Sequence, residues 1–318
     1  MTFYNAMKVG KRNMKKTYIL YNPHSGNGSG KQDAETLQVL YPDAVLINMT
    51  QISLYSVFFD GLQPDDDIIL CGGDGTLNRF VNDTQGIEIK NKICYFACGS
   101  GNDFARDLGY MAYDNPGHPV NRYLTELPSV TVNGKKTLFI NNFGFGIDGY
   151  CCEMGDRLRE DNRNASDPKP INYTAIAIRG LLFHFKPRNA VVRVDGKQYT
   201  YKKVWLAPTM NGRYYGGGMM PTPGQDRLRQ DGKVSLMVFH GTTALRTLLI
   251  FPSLFKGEHI RHRKNVAILE GQEIHVEFDR PTPLQIDGET ISGVTSYTVH
   301  SGKRADGKNR DREMTHPF

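Results

Sequence analysis

Long apolar runs are missing from this 318-residue sequence. Leu248–Phe251 is typical of the longest, far short of the roughly 18 to 20 residues that a membrane-spanning helix needs. The stretch Met1 to Lys16 is basic but lacks the apolar segment of a secretory signal. Cysteine is sparse: Cys71, Cys94, Cys98, Cys151 and Cys152 are an odd set without zinc-type paired spacing, so free thiols in a reducing cytoplasm are expected. No internal repeat is present. Apolar residues make up 39% and charged residues 23%, with 33 glycines, which is ordinary globular usage and excludes disorder, collagen-like repeats or coiled coil as descriptions of the whole. A soluble intracellular protein of two domains, at about 150 residues each, is the expectation.

Net charge is +6, unevenly placed. Lys8, Lys11, Arg12, Lys15 and Lys16 stand in the first sixteen residues with no acid among them, and a second basic knot runs from Lys256 through Lys264. Each reads as a solvated chain or helix end, or as weak attraction to an anionic surface worth about 1 kcal/mol per cation at an anionic leaflet. Aromatic residues are not interleaved with these cations, and no nucleic-acid motif is present, so no nucleic-acid partner is expected.

Residues 17 to 129 alternate between strand and helix patterns. Thr17–Tyr21, Val45–Met49, Asp67–Cys71 and Ile93–Ala97 read as strands. Helical stretches are expected from about Lys31, over Ile52–Phe59, over Leu77–Val81 and from Asp103. Such alternation implies a mostly parallel sheet covered on both faces, with every strand-to-helix turn at its carboxyl edge. Three small-residue turns, after Tyr21, Cys71 and Cys98, then converge on one crevice. From about Val130 the pattern changes to short β-rich runs: 137–142, 190–194, 198–205, 234–239, 266–269, 273–278, 284–286 and 294–299. Asn133-Gly134, Asp195-Gly196 and Asp287-Gly288 fit hairpin turns that need positive φ. This half reads as an antiparallel sandwich or barrel. A helix is expected over Thr243–Phe255, with Leu245, Leu248, Leu249 and Phe255 on one face and Gly257 as its stop. Arg157–Pro170 and the tail after Lys303 read as loops.

The sharpest chemical signal is Gly72-Gly73-Asp74-Gly75-Thr76 after an apolar strand. Amides at Gly72, Gly73 and Gly75 can approach a polyphosphate because no Cβ intervenes, and a helix N-terminus behind them adds positive potential. Thr76 and Asn78 can donate side-chain hydrogen bonds. Asp74 cannot itself favour phosphate; it suits a metal, a base or a ribose partner. Asn22-Pro23-His24-Ser25-Gly26 is a second candidate cradle, without the lysine-ended Walker spacing. Gly99-Ser100-Gly101-Asn102-Asp103 suits an adenosine or phosphate group, or simply a cap on the next helix.

In order and separation, Asn-Pro-x-Ser-Gly, Gly-Gly-Asp-Gly-Thr and Gly-x-x-Asn-Asp-Phe-Ala-Arg resemble the diacylglycerol kinase catalytic-domain family, which includes bacterial lipid kinases and sphingosine kinases. Asn141-Asn142-x-Gly144-x-Gly146-x-Asp148, Asn211 to Gly218, Asp231-Gly232 and Asp287-Gly288-Glu289 extend the likeness over roughly residues 17 to 300. The resemblance implies an α/β plus all-β fold. An N-terminal Rossmann-like parallel-sheet domain (17–129) would bind the nucleotide. A C-terminal antiparallel β-sandwich of the kind shared with NAD kinases (130–299) would carry the lipid site and a structural metal, and the tail 300–318 is free to pack back on the first domain.

The resemblance further implies ATP-dependent phosphorylation of a lipid hydroxyl. Asn22, Pro23, His24, Ser25, Gly26, Thr50, Gly72, Gly73, Asp74, Gly75, Thr76, Leu77, Asn78, Ser100 and Asn102 would hold ATP. Asp287 matches the family's base, with Glu289 beside it, and Asp74 would help place metal or acceptor. A structural Mg²⁺ would be held by Asp231 with the carbonyls of Leu228 and Lys233. The lipid would be met at a membrane surface by a cytoplasmic protein peripheral to the inner membrane, touching it through residues 243–264, and a homodimer is compatible with all of this. Two departures stand out: Arg79 where the family commonly has Glu, and Ser100 in place of Thr. The chain contains seven Asp-Gly pairs, each by itself most often a tight turn, so Asp287 is singled out by its motif and not by its dipeptide. An NAD kinase and a catalytically silent lipid- or nucleotide-binding module are the rival readings.

Overall fold

The computed structural model describes residues 15–163 and 171–302. The basic residues Lys8, Lys11 and Arg12, the end of the expected 157–170 loop and the tail beyond 302 lie outside them. The chain opens with β1 (Thr17–Tyr21), α1 (Gly30–Gln38), β2 (Val45–Asn48), α2 (Tyr55–Asp60), β3 (Asp67–Gly72), α3 (Asp74–Asp83), β4 (Lys92–Ala97) and α4 (Asp103–Asp107). The four strands are parallel in the order β2-β1-β3-β4. Ile19, Leu20, Ile68, Ile69 and Leu70 are buried because both sheet faces are covered. Leu77, Phe80 and Val81 fall three and four residues apart and turn α3 onto one of those faces.

The C-terminal domain begins with β5 (Ser129–Val132), β6 (Lys135–Leu138) and β7 (Asn142–Gly146), then α5 (Ile147–Arg163) and α6 (Tyr173–Arg179). It continues with β8 (Arg188–Val194), β9 (Lys197–Val204), β10 (Leu206–Met210), β11 (Val234–Phe239), α7 (Ala244–Ile250), β12 (Val266–Gly271), β13 (Glu273–Ile286) and β14 (Glu289–His300). These strands form one antiparallel 10-stranded sheet. Its first half of β13 pairs with β8 and its second half with β7, so a single strand serves two layers around one core. The break falls between Glu277 and Thr282, where Pro281 and Pro283 can offer no N–H to a ladder. Phe143, Phe145 and Tyr297 pack ring on ring at the centre, with centroids 4.7 and 5.0 Å apart.

Four local expectations are corrected. The expected strand 137–142 is two strands, β6 and β7, interrupted at residues 139–141. Residues 157–163 are not loop but the last turns of α5. The expected 52–59 helix begins only at Tyr55, after a turn at Met49–Gln51. The 243–255 helix ends as α-helix at Ile250, because Pro252 forces a 3-10 turn over Phe251–Lys256; Gly257, at φ 67°, stops it as expected. All five cysteines are free, and no helix among the described residues is long and apolar enough to cross a membrane.

Candidate active site

In the parallel sheet, β1 leads to β2 on one side and its other neighbour is β3, so the strand order reverses between β1 and β3. Ligands of open parallel sheets bind in the crevice outside the strand ends at that reversal. The turns after β1 and β3 flank it, and the turn after β4 joins them. A Cβ on Gly99 would collide with Gly73 Cα, so these two turns touch as they do only because both residues are glycine. Gly26 lies beside Cys98, and Gly30 beside the Asn22 carbonyl. The Thr76 side chain folds over Gly72, while Gly75 opens to solvent at the head of α3. Glycine permits this close approach, and the unpaired N–H groups of the first helical turn give it positive potential.

Each turn is closed largely by its own residues. The Asn22 carbonyl accepts from Ser25 N at 3.0 Å and Ser25 Oγ at 2.7 Å, and Asn22 Oδ1 accepts from His24 N; Pro23 lies inside that turn. Asn102 sits in the left-handed region at φ 54°, where its side chain accepts from Gly99 N and donates to Gly99 O. Ser100 is exposed at the tip of that turn. Thr50 is exposed beyond β2, its hydroxyl donating to Asn48 Oδ1 at 2.8 Å. The Leu77 side chain belongs to the sheet core, so only its backbone faces the crevice side of the chain.

Asp74 lies at the head of α3 with its carboxylate turned to protein donors. It accepts from Asp103 N and Phe104 N at 2.9 Å each and from Asn141 Nδ2 at 3.0 Å, capping α4 and holding the C-terminal domain. Asp287 comes from the β13–β14 hairpin, at φ 43° ahead of Gly288, so the tight-turn reading of this Asp-Gly pair is correct as local structure. Its carboxylate nevertheless crosses to the interrupted segment between β6 and β7. There it accepts from Ile140 N (2.6 Å), Asn141 N (3.0 Å) and Asn142 N (2.9 Å). With the Asn78 amide nitrogen facing its acceptors, Asn78 donates to Asp287 Oδ2 at 3.1 Å and to Leu138 O at 3.2 Å. A side chain of α3, directly behind the glycine turn, therefore touches the carboxylate of the distant hairpin. Glu289 is exposed at the start of β14.

Burial pushes the Asp287 carboxyl up to about 7; the three backbone donors oppose the rise and Asp74 adds to it. Asp103, held by Gly217 N at 2.9 Å, is raised to about 6 by burial and by Asp74. Asp148, at the start of α5, is also raised to about 6 by burial. Near these acids, Asp103 Oδ1, Asn142 Nδ2 and Tyr215 Oη are buried without a partner among the described residues. Natural structures leave few such atoms unpaired, and a bound substrate is one way to satisfy them.

Sequence reasoning missed the connecting residues. Asn141 joins three side chains: beyond its contacts with Asp74 and Asp287, its Oδ1 accepts from Arg227 Nη2 at 3.1 Å. Arg227 in turn pairs with Asp107 at 2.6 Å, both side chains being 4% exposed, and its guanidinium lies 4.7 Å from the Phe104 ring centre. Arg213 takes the other Asp107 oxygen at 2.8 Å. Asn141 was visible in a motif, but Arg227 and Asp107 carried no local signal.

The implied metal set meets a different environment. Asp231 Oδ1 accepts from Arg229 Nε at 2.6 Å and its Oδ2 from Arg229 Nη2 at 3.1 Å. The Lys233 carbonyl accepts from Gln225 Nε2 at 3.1 Å, and Leu228 lies in the same loop. A divalent cation would first have to expel the guanidinium, so these residues do not fit one as they stand, and no chemistry is derived through it. Arg79, the departure beside the glycine turn, is exposed and pairs with Asp83 at 3.3 Å within α3.

Comparison with known proteins bears on both halves. Residues 16–129 match the diacylglycerol kinase catalytic domain, and residues 145–301 match the YegS C-terminal NAD kinase beta sandwich-like domain. A diacylglycerol kinase of Bacillus subtilis (strain 168) is 24% identical over 288 residues, covering 87% of this chain and 90% of its own. A diacylglycerol kinase of Mycobacterium tuberculosis (strain H37Rv) is 26% identical over 219 residues, 67% of each chain. Among solved structures, a diacylglycerol kinase from Bacillus anthracis str. Sterne superposes with a TM-score of 0.56 at 18% identity, over 91% of this chain and 94% of that one, which establishes the likeness of fold.

Proposed function

The chain belongs to the diacylglycerol kinase catalytic-domain family, and from that premise we propose that it transfers the γ-phosphate of ATP to the hydroxyl of a diacylglycerol-like lipid, with Asp287 as general base. The nucleotide lies on the turns of the 17–129 domain (Asn22–Gly26, Gly72–Asn78 and Ser100–Asn102, with Thr50 at the edge), and the lipid enters from the 130–299 domain. The lipid oxygen attacks the γ-phosphorus, its proton passes to an Asp287 oxygen, and the bond to the bridging oxygen of ADP breaks. Mg²⁺ carried with the nucleotide would neutralise phosphate charge; the chain's own part is positioning and proton transfer. Asp74 acts as a positioning residue, because its oxygens hold α4 and Asn141. Glu289, exposed beside Asp287 in sequence, would act on the acceptor side. The protein works in lipid metabolism, at the cytoplasmic face of a membrane where its acceptor resides.

The observation that carries this reading is the Asp287 carboxylate: borne by the later half of the chain, touching Asn78 of the glycine-turn helix, and titrating near neutrality, where a base is most effective. The test is labelled ATP with a panel of hydroxyl-bearing lipids. Wild-type protein should label a lipid, and Asp287→Asn should lose about 10² to 10⁴ in kcat while retaining ATP binding. Near-normal turnover by Asp287→Asn removes the base assignment. NAD as the sole acceptor would make the protein an NAD kinase, and ATP binding without turnover a silent homologue.

A further inference from the structure

The core of the C-terminal domain extends under α6, α7 and the π-helical turn Gly180–His184 that continues α6. Leu181, Phe185, Ile250 and Leu254 are buried together there with Ile147, the residue before Asp148. The opposite faces of the same elements are apolar too. Phe183 is 75% exposed, Leu249 74% and Leu245 64%, and Ile178 and Leu182 are also exposed. Leu245 and Leu249, like Ile178 and Leu182, are four residues apart and therefore share a helix face. The turn and α7 pack on each other, so the two rows form one apolar surface.

Charge surrounds it with one sign. Arg179, Lys186, Arg246, Lys256, Arg261, Arg263 and Lys264 are exposed, and none enters an ion pair among the described residues. Glu258 is the lone acid in residues 171–189 and 240–264. On α5, which packs behind, Glu153 and Asp156 are paired with Arg157 and Arg159, and Glu160 and Asp161 are exposed near its end. An apolar centre within a cationic rim has the composition of a surface that enters the boundary of an anionic bilayer. A second copy of the chain would bring its own cations against these, which disfavours self-association through this face.

We propose that α6, its π-helical continuation and α7 form a docking surface for an anionic phospholipid bilayer, with Phe183, Leu245 and Leu249 entering the headgroup boundary and the surrounding arginines and lysines meeting phosphate. This deepens the lipid-kinase reading by naming the surface on which the acceptor is met, but its test needs no turnover. Flotation without nucleotide should recover the full chain with phosphatidylglycerol vesicles at low salt and much less with phosphatidylcholine vesicles. Phe183→Ser/Leu245→Ser/Leu249→Ser should weaken binding to phosphatidylglycerol at least tenfold. Arg246→Glu/Arg263→Glu should weaken it similarly and flatten its salt dependence. Melting temperature of each variant checks that it is folded, and turnover of a short-chain, water-soluble lipid should remain as in the wild type. Equal flotation of the triple variant, or no wild-type preference for the anionic vesicles, overturns the proposal. So does a wild-type dimer, by light scattering, that the same three serines dissociate. Loss of turnover on the soluble substrate with vesicle binding intact would strike the kinase reading instead.

A separate observation concerns the loop before β11. Arg229 binds both oxygens of Asp231, reaches Glu270 on β12 at 2.8 Å and meets Gln225 at 3.2 Å. Gln225 in turn ties the loop to Asn211, Lys233 and Ser235. The geometry points to Arg229 as a fixed cation that does within the chain what a structural divalent ion would do at Asp231, steadying the loop that carries Arg227. The nucleotide-free protein should then melt at the same temperature in chelator and in Mg²⁺, and show no tight Mn²⁺ site by paramagnetic resonance. Arg229→Met should melt several degrees lower and recover part of the loss on adding Mg²⁺. A wild-type melting temperature that falls with chelator and returns with Mg²⁺ overturns this.

Discussion

The two sides of the candidate site are built in opposite ways. On the nucleotide side, contacts close over three or four residues: Asn22 with Ser25, Gly99 with Asn102. On the acceptor side they join residues 67 to 147 positions apart: Asp287 reaches back to Ile140, Asp74 to Asn141, and Arg227 to Asp107. A local turn forms from its own residues and presents backbone. The long-range network exists only when two sheets have folded and met, and it presents carboxylates. On the proposed function, substrate positioning and proton transfer would depend on different parts of the folding free energy, and should fail separately.

The sharpest way to separate them is Asp287→Asn, with its loss of about 10² to 10⁴ in kcat and little change in ATP affinity. Because an amide cannot accept from three N–H groups as a carboxylate does, the same variant should also lose about 1–3 kcal/mol of stability, read by denaturant unfolding. Next in size is Arg227→Met, which leaves the buried Asp107 to Arg213 alone and should cost about 1.5–3 kcal/mol; Asp107→Leu/Arg227→Met together should cost less than the sum of the two single changes. An additive double variant would show the pair to be independent of each other and end the view of that side as a network.

Titration offers a third separation. Asp287 titrates at about 7 when folded, above the ordinary carboxylate value of about 4, so the folded state holds a proton that the unfolded state has released. Stability from this group is therefore full at low pH and declines as pH rises from about 4 to about 7, and Asp103 and Asp148, raised to about 6, act in the same direction. Activity should run the other way, rising through about pH 7 as the base ionises. A kcat profile that is flat between pH 5.5 and about 8 would break the link between that carboxyl and turnover. On the nucleotide side the effects should be smaller and purely in binding. Gly99→Ala, which presses on Gly73, should raise the KM for ATP about tenfold with kcat nearly kept. Thr50→Ala, whose hydroxyl is satisfied by Asn48, should change KM by less than about twofold.

Several features were legible before any coordinates. The strand–helix alternation, the three converging turns, Gly257 as a helix stop and the Asp287-Gly288 hairpin are all local consequences of φ freedom, apolar period and missing Cβ atoms. Others were not. Residues 137–142 read as a continuous β run, yet the ladder breaks at 139–141, where the Ile140 and Asn141 N–H groups serve Asp287 and that of Phe139 donates to Pro128 O. Leu245 and Leu249 read as part of an apolar helix face, but a one-dimensional pattern does not say which neighbour covers it, and among the described residues none does. Arg229, two residues before Asp231, was not singled out at all.

Sequence alone thus determined the class of each half, the family and the glycine turns that meet at the crevice, because turn chemistry and periodicity act over a few residues and are written in order along the chain. Tertiary structure alone decided that Asp287 meets Asn78, that Asn141 joins Asp74 to Arg227, and that Arg227 pairs with Asp107. Those pairings depend on how two sheets pack, and packing brings together residues that lie far apart along the chain, for which neither composition nor spacing carries a signal.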